Sequence, residues 1–184
     1  MRALPLLVLL MTTTPTFAQD TPPAPAAPAA APAPCSVAER RQFDFWLGEW
    51  EVTGAKGKVA GHSRIESLLG GCAIAEHWSS ATGGGANDGE SYNLYNADLK
   101  QWEQFWVDAS GSRLHLRGGL VDGNMVLEGR QDLADASTGV HRRERITWTP
   151  NADGSVRQLW QASVDEGKTW TTAFDGLYRR RKDG

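Results

Sequence analysis

Three carboxylates in this sequence stand among tryptophans. Glu76 lies between Ile74 and Trp78 at alternate positions, Asp108 closes the run WEQFWVD, and Glu144 leads into Ile146 and Trp148. A carboxyl buried against indole rings is driven toward its neutral form, which makes it a proton donor, while a second one kept ionised can act as its base. Glu76 and Asp108 are therefore the candidate acid/base couple of a hydrolase or isomerase. Arg142 and Arg145 leave open a plainer role for the acids, as halves of ion pairs.

Side chains alternate between the two faces of a strand, so parity groups the candidates further. Glu76 shares a face with Trp78; Ser91 with Asn93 and Tyr95; Trp102 with Gln104, Trp106 and Asp108. Later come Arg142, Glu144, Ile146 and Trp148, then Gln158 and Trp160, then Trp170, Thr172, Phe174 and Tyr178. A plain core puts bulky aliphatics on one side and charges on the other. Here indoles share a face with amides and carboxylates, which suits a cavity whose walls stack on an apolar or amphipathic molecule and whose few polar groups orient it. The expected ligand-binding set is Glu76, Trp78, Asn93, Tyr95, Trp102, Gln104, Trp106, Glu144, Trp148, Gln158 and Trp160. The competing reading is a structural or envelope-interaction module with a filled barrel, in which the polar groups satisfy indole N–H and phenol O–H groups and internal water.

The four histidines, His62, His77, His115 and His141, are scattered, and no Ser-His-Asp elbow, metal-ligand cluster or phosphate-binding glycine loop is present. No metal or other cofactor is expected. If the interior held haem, His115 would be the residue to suspect as its ligand. With 19 basic and 22 acidic side chains the chain carries a net charge of −3, without the basic footprint that nucleic acid requires. The one basic run, Arg179 to Lys182, reads as a solvated end.

These residues need a scaffold that turns one face of many strands inward. From Gly48 onward the hydrophobic pattern has period two, and turn signals such as Gly54-Ala55-Lys56-Gly57, Gly70-Gly71, Asp122-Gly123-Asn124 and Asn151-Ala152-Asp153-Gly154 divide it into ten strands. The connections are too short for the crossovers of parallel neighbours, so an antiparallel meander is expected. Closing it pairs the first strand with the last and removes two bare edges, which favours an all-β up-and-down barrel over a sandwich. Ahead of the first strand, Ser36-Val37-Ala38-Glu39 has the form of a capping box, predicting a short helix from about Val37 to before Gly48.

The N-terminal residues read as an export signal: Arg2, an apolar run from Ala3 to Met11, and Thr16-Phe17-Ala18 as a cleavage site, giving a signal over residues 1–18. That run is too short for a membrane span. Residues 19–34 are nearly all Ala and Pro and predict a disordered tether, so the domain occupies 35–184. A periplasmic or secreted, monomeric protein is expected. Cys35 and Cys72, the only cysteines, would then form one disulfide that staples the N-terminal helix to the third strand.

The order FDFWLGEWEV, GGC, EHW, SYNLY, WEQFWVD, SVRQLW, SVDEGKTW and FDGLYRR resembles a family of exported bacterial proteins, uncharacterised in function, whose domain is lipocalin-like. Gly48-Glu49-Trp50 is similar to the G-x-W signature of lipocalins. That likeness implies that Trp50 lies across the barrel floor beneath an arginine of the last strand, Arg179 or a neighbour. Ser163-x-Asp165-x-Gly167-x-Thr169-Trp170 resembles the Asp-box of sialidase propeller blades, where the Asp binds turn amides over the Trp. A single copy implies a rigid hairpin, since a propeller repeats the motif on each blade.

Overall fold

The computed structural model describes residues 35–131 and 139–181. The expected signal and tether, residues 132–138, and residues 182–184 with Lys182 of the basic run lie outside them. Ten strands follow one another: β1 (Gly48–Gly54), β2 (Val59–Leu68), β3 (Ala73–Ser80), β4 (Gly89–Asn96), β5 (Gln101–Asp108), β6 (Arg113–Val121), β7 (Asn124–Arg130), β8 (Arg143–Pro150), β9 (Val156–Ser163) and β10 (Thr171–Arg180). Each pairs antiparallel with its sequence neighbours, and β1 also pairs with β10, closing the barrel. The all-β, up-and-down closed barrel expected from the turn spacing is the fold.

The short N-terminal helix is present but tighter than an α-helix. It consists of two 3-10 turns, Ala38–Arg41 and Asp44–Trp46, and the expected capping box does not form, because the first turn starts at Val37 without a side-chain cap. Three residues per turn place positions i and i+3 one above the other. Phe43 accordingly stacks on Trp46 with ring centroids 4.9 Å apart and planes 16° from parallel.

That pair is the plug of one barrel end. Phe43 meets Trp102 edge-on at 5.6 Å and Trp148 at 5.1 Å, and Trp46 meets Trp148 at 5.3 Å. The Trp102 indole N–H donates to the Glu39 carbonyl and the Gln42 side chain, fastening the turns to β5. Trp50 donates to the Trp46 carbonyl at 2.9 Å, and all these rings are buried. The Cys35–Cys72 disulfide joins the start of the plug segment to the residue before β3, as expected.

The guanidinium over Trp50 belongs to Arg180, 4.5 Å from the ring centroid, and not to Arg179. Parity decides this: Arg180 is the register partner of Trp50, whereas Arg179 pairs with Glu51 and shares its outward face. Gly48 makes the contact possible, since a Cβ there would stand 2.3 Å from Nη1 of Arg180, and its φ of +135° suits no larger residue.

Parity fails where β10 bulges. A bulge between Thr172 and Phe174 turns the start of β10 over, so Thr172 and Trp170 do not share the lumen with Phe174 and Tyr178. Trp170 lies outside, under the Arg145 guanidinium at 4.1 Å. Its hairpin keeps the Asp-box geometry: Asp165 accepts from the Thr169 amide and hydroxyl at 2.8 and 2.6 Å and from the Ser163 hydroxyl, and Trp170 donates to the Gly167 carbonyl.

Candidate functional site

The plug fills one end of the barrel, and the hairpin connections after β3 and β5 rim the other. Between them lies a cavity of about 270 Å³ that opens at the rim. Its polar floor is formed by Glu76 from β3, Gln104 from β5, Gln158 from β9 and Tyr178 from β10; its walls are Trp78, Trp106, Trp160, Leu114, Ile146 and Phe174. At the mouth stand Asp108, Ser110 and Asn87.

The walls are held open by missing side chains. A Cβ on Gly89 would lie 2.3 Å from Trp106, one on Gly61 2.6 Å from Trp78, and one on Gly176 2.5 Å from Phe174. Each ring therefore covers a bare stretch of backbone on the barrel wall and does not need to project across the lumen. Trp78 and Phe174 meet edge-on at 6.1 Å near the mouth. Two indole N–H groups point at carboxylates: Trp160 donates to Glu144 at 2.7 Å and Trp106 to Asp108 at 3.3 Å. Both rings are thereby fixed in orientation.

Glu76 is buried and carries no ion pair among the described residues. Its Oε1 accepts from Ser63 of β2 at 2.9 Å and its Oε2 from Ser91 of β4 at 3.2 Å. Burial pushes its pKa up to about 7 despite these bonds and the nearby Tyr178 hydroxyl. The nearest imidazole, on His77, points the other way, with its nitrogens 3.0 and 3.2 Å from Glu66 and Glu90 on the outer face. Tyr178 donates its one proton to the Gln158 carbonyl oxygen, and burial together with the Glu76 carboxyl raises its own pKa well above the usual phenol value. The Gln104 residue is buried, its side chain lines the cavity, and its amide makes no hydrogen bond among the described residues.

Asp108 is a different kind of acid. Burial pushes its carboxyl up, but the Ser110 hydroxyl, the Ser112 and Ser110 amides and the Trp106 N–H outweigh that and hold it below its ordinary value. The two carboxylates thus share one cavity with pKa values displaced in opposite directions.

Of the residues expected around a ligand, Glu76, Trp78, Gln104, Trp106, Gln158 and Trp160 line the cavity. Five do not. Trp102 and Trp148 belong to the plug, and Tyr95 packs edge-on against Trp102 at 6.2 Å, away from the lumen mouth. Asn93 lies below the floor, where its amide nitrogen donates to Ser91 and to the Ile74 carbonyl and its Oδ1 has no partner among the described residues. Glu144 sits behind Trp160, where Arg142 Nε approaches it at 2.6 Å and Gln131 donates to it at 3.3 Å, while burial raises its pKa. Parity locates the correct face but not depth along the barrel, and depth divides plug from cavity. His115 is on the outer wall, stacked on Phe105 at 4.3 Å, so it offers nothing to a haem in the lumen.

Parity reasoning passed over Leu114, Ile146, Phe174 and Tyr178 as site residues, although it placed three of them on the right face. Their signal is position alone: Leu114 stands two places from the turn before β6, and Ile146 two places from Trp148 of the plug. Among the described residues no group of three or more His, Cys, Asp or Glu side chains could hold a metal ion. No protein-family model matches the chain and no curated protein matches it.

Proposed function

We propose that this protein is an exported barrel that takes up a small, largely apolar molecule through its open end. One observation carries the reading: an open cavity combines half-buried aromatic walls with a polar floor, on which the Gln104 side chain makes no hydrogen bond among the described residues and so faces the lumen with its amide unengaged. The volume, about 270 Å³, sits near the lower end of the range usual for small-molecule sites and well above the roughly 30 Å³ share of one water. The disulfide supports export, since a lone bridge of this kind persists in an oxidising compartment. The expected signal over 1–18 and tether over 19–34 belong to the same proposal, as does a monomeric state.

Mass spectrometry of the protein purified from the periplasm or medium, under native conditions, tests this. A small organic molecule that copurifies and quenches tryptophan fluorescence when added back is the expected result. Ligand-free protein that responds to no member of a panel of fatty acids, aromatics and amines would remove the support.

A second reading has its own observation. Environments that push two carboxylates apart in pKa are how active sites separate a general acid from an ionised partner. Glu76 would be the acid and Asp108 the base in a hydrolase or isomerase. Glu76→Gln separates the two, abolishing turnover of a copurified molecule in this case and only weakening its binding in the first.

A further inference from the structure

We infer that the lumen selects an organic cation, a small amphipathic amine or quaternary ammonium whose charged head lies between the indole faces and the Glu76 carboxylate. The inference rests on the binding reading above and narrows it to one class of ligand.

Charge is the first argument. Two acids, Glu76 and Asp108, line the cavity, and no Lys, Arg or His does so among the described residues. The groups packed around Glu76 are Ser63 from β2, Ser91 from β4, Tyr178 from β10 and, past Tyr178, Gln158 from β9; none is basic, and His77 is engaged outside. An anionic ligand would enter a low-dielectric space with two carboxyls and no countercharge, which the fold does nothing to offset. A cation would supply the missing partner of a buried carboxylate whose two oxygens are already positioned by serine hydroxyls.

The aromatic walls are the second argument. Faces of Trp, Tyr and Phe attract cations, and several such faces around one space form the cage that recognises quaternary ammonium groups. Trp78, Trp106, Trp160 and Phe174 surround this cavity, and glycines beneath three of them let the rings lie back against the wall. Trp106 and Trp160 also donate their N–H groups to carboxylates, a polarisation that enriches the ring faces in electron density. The ionised Asp108 at the mouth adds attraction along the way in. The same walls would hold a neutral hydrocarbon by area alone, so the cation's advantage is the discriminating quantity.

Three probes of one shape measure it on the full chain at pH 8, followed by tryptophan fluorescence: benzyltrimethylammonium, its uncharged carbon isostere neopentylbenzene, and benzylsulfonate. The cation is expected to bind at least about tenfold tighter than the isostere, given the strength of desolvated cation–π contacts, and the sulfonate more weakly than either. Glu76→Gln should erode the cation's lead and leave the isostere's affinity in place. An isostere or sulfonate that binds as tightly as the cation overturns the inference while the binding barrel stands, and so does a lead that survives Glu76→Gln undiminished. Failure of all three probes to bind removes the inference and the binding reading together.

Discussion

A Cβ placed on Gly89 would stand 2.3 Å from Cζ2 of Trp106 and 2.8 Å from the Val107 carbonyl oxygen, so the indole occupies the room that any other residue at 89 would claim. Gly89→Ala must therefore push the Trp106 ring toward the barrel axis, because the carbonyl on the other side is backbone and cannot retreat. We expect a loss of about 1 to 3 kcal/mol in unfolding free energy, typical of overpacking, together with weaker uptake of any lumen ligand. Denaturant melts and fluorescence titrations check both. Unchanged stability with unchanged binding would mean that the ring does not depend on this glycine.

Glu76 gives the apo protein a pH dependence of defined sign. Its carboxyl has an ordinary value of 4.5 and is pushed by burial to about 7 in the fold. Between those values the folded state holds a proton that the unfolded chain has released, so stability is full below about pH 4.5 and falls as pH rises through 7. The shift corresponds to at most about 3 kcal/mol. Glu144 is raised too and acts in the same direction, so the Glu76 share must be isolated by difference. Urea unfolding at pH 5, 6, 7 and 8 should show wild type losing stability along the series, and Glu76→Gln should flatten most of that loss. A wild-type curve that is level from pH 5 to 8 would contradict the burial of an uncompensated acid.

Barrel closure, strand order and the disulfide were legible in the sequence because period-two patterning and short turns are local signals. So were Trp78, Gln104, Trp106, Gln158 and Trp160, whose faces follow by counting. Two kinds of information were not local. Depth along the barrel depends on the stagger of ten strands, and it sends Trp102 and Trp148 to the plug while Trp106 and Trp160 reach the cavity. Bulges reset the count, as between Thr172 and Phe174, and nothing in Thr171-Thr172-Ala173-Phe174 announces one. The glycines at 61, 89 and 176 carry no local signal of a role; their meaning appears only once a neighbouring ring is seen lying over each.

Arg180 and Arg179 are adjacent, exposed and chemically identical, yet only one covers Trp50. Arg180→Ala should cost about 0.5 to 1 kcal/mol, the range for exposed cation–π contacts, and should also uncover one edge of the floor tryptophan. Arg179→Ala should stay within about 0.5 kcal/mol of wild type, as for a surface substitution without a special contact. Thermal melts of the two variants, with acrylamide quenching to report Trp50 exposure, distinguish them. Equal effects would show that the lipocalin-like clasp contributes nothing here.

The bridge between Cys35 and Cys72 closes a separation of 37 residues. In the chain-entropy account, loss of such a link destabilises by about 4 kcal/mol, and the plug turns are the part of the fold most dependent on it. The double variant Cys35→Ser, Cys72→Ser should melt well below wild type. Near-ultraviolet circular dichroism should lose the signal of the stacked Phe43, Trp46 and Trp148 rings before the far-ultraviolet strand signal disappears. Coincident loss of the two signals would mean that plug and barrel unfold as one unit.

Tyr178 has one hydroxyl proton and two acceptors within reach, the Gln158 carbonyl oxygen and the Glu76 carboxylate. With that proton donated to Gln158, Glu76 meets the phenol oxygen most comfortably when it is itself protonated and donates. When Glu76 ionises, the phenol proton is drawn toward it and the Gln158 bond weakens. The phenol thus stabilises each form of Glu76 at a different cost, and its net effect is to lower the carboxyl's pKa against the larger push of burial. Tyr178→Phe removes that relief and leaves Gln158 without a donor. The Glu76 titration, followed by carbon NMR of its labelled carboxyl, should then move above 7, and the pH at which stability falls should move up with it. An unmoved titration would show that the serines alone set the state of this acid and that the phenol serves only the plug beneath it.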